Sequence, residues 1–568
     1  MTRRDDLAVV LDALVTSDPE QASAFCRAAH DSRDGAGDPY LLALESFALF
    51  MSARFDEAAI RADAALAQCS DGDLVLLATA RAARALAQSG RPFDEGLAGG
   101  WAATVAPHGD PLLDAVEALP ELRPLLAHAE ADLALFAQYL VAEAAIASAR
   151  LHLAERALPR EPVALDSFLQ HNGVAHPFGM ILGVLRVRVL TFRGRVAEAI
   201  DALASLPPTT EVLPNQLRLA TEILVRGNAA ERVQVRALAD SLVASTAAPR
   251  DYLTRGCFLL AAFGLVALGD VRGSARFALA AGGDLAVSQL TTVDRALCLE
   301  LLVAAAADEA DADAAESWAA LALPLVDDPI AASTAHRIVA RIALLEGQPA
   351  SALVAADRAL ELANAEGRTV EAAEAEVLAA RARRADEHAD SGAARLVALA
   401  AAAESTGHHA ARQAAVRELR ASGRRLPPAA GAGWSGLSSR EREVALMVAD
   451  GLRNVEIAAA LHVSEHTVRA HVSRVLAAFG AASRFVVAAR VAELFPAADS
   501  PPPPPLSPQL TAVAVRVAMG LGNAEIGREL GVSTKTVEKY VAEIQRRWQA
   551  GSRVGIARLV RSIPNPGE

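Results

Sequence analysis

From roughly Asp5 to Arg425 apolar residues recur every three to four positions, in runs of Ala, Leu and Val broken by short Gly, Pro or Asp stretches. That period puts the apolar side chains on one stripe of a helix, so the region is predicted to be helix after helix. Beyond it the period persists but the elements shorten. Leu437 to Asp450 predicts an amphipathic helix capped by Ser438 or Ser439 and stopped by Gly451. Asn454 is expected to cap a short helix holding Ile457, Ala458 and Leu461; a tight turn at His462 and Val463 then leads to Ser464, which caps a longer one. In that helix Val468, Val472, Val475 and Phe479 fall at i, i+4, i+7 and i+11 as one buried face, opposite Arg469, Ala470, Ser473 and Arg474.

Within the long helical region several breaks share a local pattern. Gly347 ends one helix, Ala352 follows five residues later and Ala359 seven after that; Ala53, Ala58 and Ala65 repeat the spacing, as do Gly269, Ser274 and Ala281, and Gly194 with Ala199 starts it. Small residues at these places let two antiparallel helices approach closely. The pattern resembles a degenerate tetratricopeptide repeat, which implies an α-solenoid. The full consensus, with its Trp, Tyr and terminal Pro, is not met and the units are irregularly spaced, so a non-repeating helical bundle stays open.

A short helix, a tight turn and a second helix with one apolar and one basic face make a helix-turn-helix, whose second helix fits the major groove of double-stranded DNA. The sixteen residues from Ser464 to Phe479 would span about 24 Å, enough to cross the groove. Here the chain resembles the LuxR family. The residues that carry the resemblance are Arg440 to Glu443 (RERE), Asn454, Glu456, Ile457, Ala458, Ser464, Thr467, Val468, Arg469 and His471, with Ser483 and Arg484 opening a fourth helix. Arg469 is the candidate base-edge or phosphate contact. Ser464, Thr467, Ser473 and Arg474 are expected to position the DNA backbone, and Asn454, Ala470, His471 and Arg484 complete the candidate surface.

The segment from Leu506 to Ile563 aligns with the first module without a gap, at a constant offset of 69 residues. The positions that cap helices or face the core recur, whereas the surface does not. Gln509 to Ala512 replaces RERE, Glu538 replaces Arg469, Lys539 replaces Ala470, Tyr540 replaces His471 and Glu543 replaces Arg474. A carboxylate facing phosphate is repelled, although Glu can accept from a cytosine amino group. The second module therefore reads different bases, binds weakly or serves in dimerisation. Lys535, Lys539, Arg546 and Arg547 keep it basic and favour DNA, with Asn523, Ser533, Thr536, Glu538 and Ala542 as further candidates.

The expected organisation is an all-α chain: a helical-repeat body over 1–425, a flexible linker over 426–433, a four-helix module over 434–495, a proline-rich spacer over 496–505 and a divergent second module over 506–563. The ten spacer residues, extended at about 3.1 Å each, reach roughly 31 Å. Half-sites one turn apart lie about 34 Å from each other. One chain could thus set two heads on adjacent half-sites, as LuxR-like proteins usually do by dimerising, so a homodimer stays open.

Charge sharpens this division. From Trp434 onward there are 16 Lys+Arg against 12 Asp+Glu, leaving 39 against 56 before it, so a tail of +4 follows a body of −17. A basic end on an acidic body fits DNA contact at one end with weak non-specific binding. The only lysines are Lys535 and Lys539, so no P-loop lysine exists and a Walker-type ATPase is excluded. Cys26, Cys69, Cys257 and Cys298 are far apart, which argues against a zinc site or a disulfide framework. His171 and His176 read as loop histidines, and the acidic run from Asp308 to Glu316 as a solvated helix face. With no signal peptide and no long apolar run, the expectation is a cytoplasmic protein without membrane contact, cofactor or metal. It would be a non-enzymatic regulator of transcription whose body senses a small molecule or a protein. The competing reading is a repeat scaffold whose C-terminal modules dock proteins.

Overall fold

The computed structural model describes residues 2–560 apart from 17, 32–37, 71, 91–110, 123–127, 160–169, 172–173, 246–247, 285, 387–388, 425–433, 435–436, 438, 482, 495–503, 519–520, 549–555 and 557–558. The chain forms two compact units, Met1–Arg424 and Arg425–Glu568. Both are helical. Among the described residues the one departure is a pair of two-residue strands, Gln170–His171 antiparallel to Val174–Ala175.

One turn design recurs through the body. Helix Pro39–Met51 is joined to Phe55–Leu66 by three residues, and so are Phe178–Phe192 to Val196–Ala204, Tyr252–Ala267 to Val271–Gly282, Thr292–Asp308 to Ala312–Ala322, and Ala332–Leu345 to Pro349–Ala365. In each turn the middle residue is left-handed: Ala53, Gly194, Gly269, Ala310 and Gly347 have φ of 57°, 71°, 77°, 58° and 70°. The residue after it donates its N–H five residues back, as in Arg195 to Leu190 (2.9 Å), Asp270 to Leu265 (3.0 Å) and Gln348 to Ala343 (2.7 Å). This is the Schellman stop, which satisfies a helix-end carbonyl that otherwise lacks a partner. Ala149, Ala230, Gly367 and Gly407 build the same turn.

The small residues read from the sequence pattern lie where the paired helices touch. Ala58, Ala65, Ala199, Ser274, Ala281, Ala352 and Ala359 are all fully buried. Backbones meet most closely where helix Val212–Asn228 crosses helix Tyr252–Ala267, because a Cβ on Gly227 would stand 2.2 Å from the Gly264 carbonyl oxygen. The acidic run is a turn rather than one helix face. Asp308 ends a helix, Ala310 takes the left-handed position, and Asp311 caps the next helix by accepting from the Ala314 N–H at 3.0 Å.

The repeat does not continue as an open array. The Ala197 N–H donates to the Thr406 carbonyl at 2.9 Å, and a Cβ on Gly407 would come within 3.0 Å of the Ala197 nitrogen. Helix Phe178–Phe192 also meets Thr369–Ala385, and Val212–Asn228 meets His409–Ala421. The later helices thus return to the middle ones and enclose a cavity of ≈ 750 Å³. His176 is buried beside this framework. Its Nδ1 accepts the Phe178 N–H at 3.1 Å, so Nε2 carries the hydrogen that faces Asp12 at 3.2 Å. It fastens the start of a helix. Burial pushes the thiols of Cys257 and Cys298 up to about 12, which makes them packing groups rather than nucleophiles. Among the described residues no helix is long and apolar enough to cross a membrane, and no three His, Cys, Asp or Glu side chains stand together as a metal site would need.

Candidate nucleic-acid interface

The C-terminal unit contains two small cores. In the first, helices Ser439–Ala449, Asn454–Leu461, Glu465–Ala478 and Arg484–Leu494 surround Val444, Val448, Ile457, Val468, Val475 and Val487. In the second, helices Pro508–Ala518, Asn523–Leu530 and Thr534–Trp548 surround Val513, Val517, Ile526, Val537, Ile544 and Ile556. Ser438, the linker over 426–433 and most of the proline spacer lie outside the described residues. Pro504 is described, and it belongs to the second module: its carbonyl accepts the Trp548 indole N–H at 2.8 Å.

The cap expected at Asn454 sits one residue earlier. Arg453 is the N-cap, with ψ of 158°, and its backbone N–H is taken by the Glu456 carboxylate at 2.6 Å. Asn454 is the first residue of the helix. Gly522 and Glu525 repeat the bond at 2.7 Å, which puts Asn523 at the same position. A carboxylate three residues in reaches the orphan donor better than the shorter Asn side chain, and it favours the positive helix end.

The turn into the third helix needs a left-handed residue. His462 supplies it in the first module with φ of 53°, and Gly531 in the second with φ of 67°. A side chain pays for that conformation sterically where glycine does not. Replacing His462 with glycine is therefore expected to stabilise the first module by about 0.5–1 kcal/mol, read as a shift of its urea midpoint; an unchanged or lower midpoint would contradict it.

Ser464 and Ser533 cap the third helices alike. Each hydroxyl accepts a backbone N–H, from Thr467 or Thr536, at 3.1 Å and lies 2.8 Å from that threonine's hydroxyl. The first of these helices, Glu465–Ala478, has 14 residues and is about 21 Å long, slightly shorter than expected because Ser464 and Phe479 are its caps. Val468 and Val475 are fully buried, whereas Val472 and Phe479 are only partly so.

On the outer side the two helices carry matching stripes. His466, Arg469, Ser473 and Ala477 are exposed in the first, with Ala470 half-buried between them; Lys535, Glu538, Lys539, Ala542 and Arg546 are exposed at the equivalent places in the second. The spacing of three, four, seven and eleven residues defines one helix face. Arg469 is tied only to Glu465, at 3.2 Å, and both are solvated, so the pair is worth a few tenths of a kcal/mol and the guanidinium is free to leave it. His466 was not singled out from the sequence. Its signal was its alignment with Lys535.

Other candidates sit off this stripe. Arg474 reaches across to Glu441 on the first helix at 3.5 Å, and that carboxylate is nearly buried. At the equivalent places the second module has Glu543 and the core residue Leu510. The interhelical ion pair of the first module is therefore replaced by pairs within one helix, Glu543 with Arg547 at 2.9 Å and with Arg546. The change at 543 does not put a carboxylate in place of a group on the exposed stripe. Arg484 donates to the Leu452 carbonyl at 2.6 Å, and burial lowers its pKa. Thr467, His471 and Thr536 are half-buried beside the stripes.

Residues 435–492 and 504–560 match the family model described as GerE, bacterial regulatory proteins of the luxR family. No curated protein matches the chain. The C-terminal unit thus carries luxR-type helix-turn-helix structure, a fold associated with DNA-binding regulators of transcription.

Proposed function

We propose that the protein is a sequence-specific DNA-binding regulator of transcription with two luxR-type reading heads in tandem, joined to a tetratricopeptide-like body that receives an effector. One observation carries this reading: both third helices bury a valine stripe and hold an opposite face in solvent, at the same positions in each module. The exposed stripe of the second helix has three cations, Lys535, Lys539 and Arg546, against Glu538. The capped helix N-termini at Ser464 and Ser533, one in each module, add donors for phosphate. In this reading Arg469 contacts a base edge or phosphate, and Ser473 and Ala470 let the helix approach the groove. Arg474 and Arg484 act by holding the helices in place. Glu538 is the feature that favours a protein-docking role for the second module.

The test is the salt dependence of duplex binding by the full chain, on bound sites first mapped across a genome. Affinity is expected to fall with log[salt] by a slope of about −0.9 per phosphate neutralised. Lys539→Ala should reduce that slope by about 1, and Arg469→Ala should cost about 1–3 kcal/mol at sites read through that side chain. Binding that ignores salt and survives both substitutions would rule out the regulator reading and leave protein docking.

A further inference from the structure

The cavity within the body is lined by the first helix of successive pairs. Leu217, Leu224, Leu259, Leu260, Phe263 and Leu301 give it an apolar wall. Helices Ala332–Leu345, Thr369–Ala385 and His409–Ala421, with the cap Arg368, carry five arginines against Glu371 and Glu374, and Arg188, Asp294, Glu300 and Asp308 line it as well. Such a volume, with an apolar wall and a few convergent polar groups, is that of a small-molecule site.

The arginines are not equally satisfied. Arg337 forks onto Glu300 at 2.9 and 2.5 Å and reaches Glu371 at 2.6 Å. Arg368 forks onto Glu371 at 2.6 Å through both nitrogens. Arg341, one turn beyond Arg337, has only long contacts, 3.4 Å to Glu300 and 3.8 Å to Glu374, and its Nε is buried without an acceptor. An arginine has five donors in a fixed fork suited to a planar anion, and leaving them unpaired in a shielded place is costly. Arg417, another of the five, has Arg381 for a neighbour, while Arg381 is already paired with Glu418 at 2.8 Å.

We infer that this cavity binds a small apolar acid, a molecule with a hydrocarbon or aromatic body and one carboxylate-like group, whose anionic end is held by Arg341. The apolar wall takes the body of the ligand, and the unused fork of Arg341 takes its oxygens. Glu300 does not oppose this, because Arg337 already neutralises it. Glu374 stands 3.8 Å from Arg341, and burial, then the adjacent Glu300, raise its pKa, which lessens its opposition to an anion. A cationic ligand would instead enter among arginines. That the ligand alters DNA binding rests on the regulator reading above; that it binds does not.

Calorimetric titration of the full chain without DNA, using decanoate, 1-decanol and decyltrimethylammonium below their aggregation limits, separates the head groups at constant tail. Decanoate is expected to bind about tenfold or more tighter than the alcohol, with the cation weakest. Arg341→Gln should bring decanoate to the level of the alcohol and leave the alcohol unchanged. Gly256 borders the cavity, and a Cβ there meets no atom within 4 Å, so the side chain of Gly256→Leu starts into open space and narrows it. It should weaken binding of acid and alcohol alike, which keeps the test decisive even if Arg341→Gln folds poorly. Equal binding of all three head groups, no binding of decanoate, or decanoate binding that Gly256→Leu leaves unweakened overturns the inference. A chain that binds duplex DNA with the expected salt slope but ignores decanoate sinks this inference alone; one that binds decanoate but not DNA sinks only the regulator reading.

Discussion

Arg337→Met is expected to destabilise the body by about 3–5 kcal/mol near neutral pH, the usual cost of removing one partner from a buried charge network. The Arg337 side chain is 1% exposed, and it holds Glu300 at 5% and Glu371 at 16%. Burial by itself would raise the Glu371 pKa, but Arg368 and Arg337 overcome it and keep the carboxyl below its usual range. The wild-type contribution of Glu371 is therefore present above the unfolded carboxylate pKa and is lost as pH falls through the folded value. In the variant Glu371 loses one of the two guanidinium groups that hold its pKa down, so less of that stability is there to lose on acidification. The two denaturation midpoints should thus lie furthest apart at neutral pH and converge on acidification. Adding Glu300→Gln to Arg337→Met should recover part of the loss. A midpoint difference below about 1 kcal/mol, the scale of an exposed pair, would show that the network contributes little.

Ile457→Ala and Ile526→Ala form a matched pair, one in each helix-turn-helix module, and both isoleucines are fully buried. Each truncation should cost about 2–5 kcal/mol through lost burial and the cavity left behind. A single core in a module of this size rarely supplies more than about 3–5 kcal/mol, so each substitution should unfold its own module and spare the other, which has a separate core. If both modules read DNA, either variant loses most of the specific affinity while the intact module keeps a weaker, salt-sensitive remainder. Melting of the second module by Ile526→Ala with unchanged affinity would remove that module from the interface. Melting there can be followed through Trp548, whose indole N–H reaches the Pro504 carbonyl, once Trp101, Trp318 and Trp434 are replaced by phenylalanine.

The body illustrates what local pattern reveals and what it conceals. The turns at Gly194, Gly269 and Gly347 were legible because glycine tolerates the left-handed conformation and interrupts a helical run. Ala149, Ala230 and Ala310 adopt the same conformation with φ between 58° and 64°, yet alanine is the best helix former and announces no turn. In the unit that begins at Ala230 the contact positions also hold Val235 and Leu242, both fully buried, where other units have small residues. The signature fades there although the geometry persists.

The buried sides of the two third helices were legible because their cause is local: a serine cap, a valine period and a polar remainder suffice to define which side is buried. Charge on the polar side was less informative. Arg474 and Glu543 share a helical position, and only the packed structure shows that one answers Glu441 on another helix while the other pairs with arginines of its own helix.

Helical class, the two helix-turn-helix modules and their exposed faces were determined by the sequence alone, since each follows from periodicity and capping within a few turns of chain. Closure of the body on itself, the cavity this encloses and the unequal pairing of Arg337 and Arg341 were decided only in the tertiary structure. Their partners lie tens to hundreds of residues away, and long-range contacts such as Ala197 with Thr406 depend on small rotations accumulated over many repeats, which no local pattern encodes.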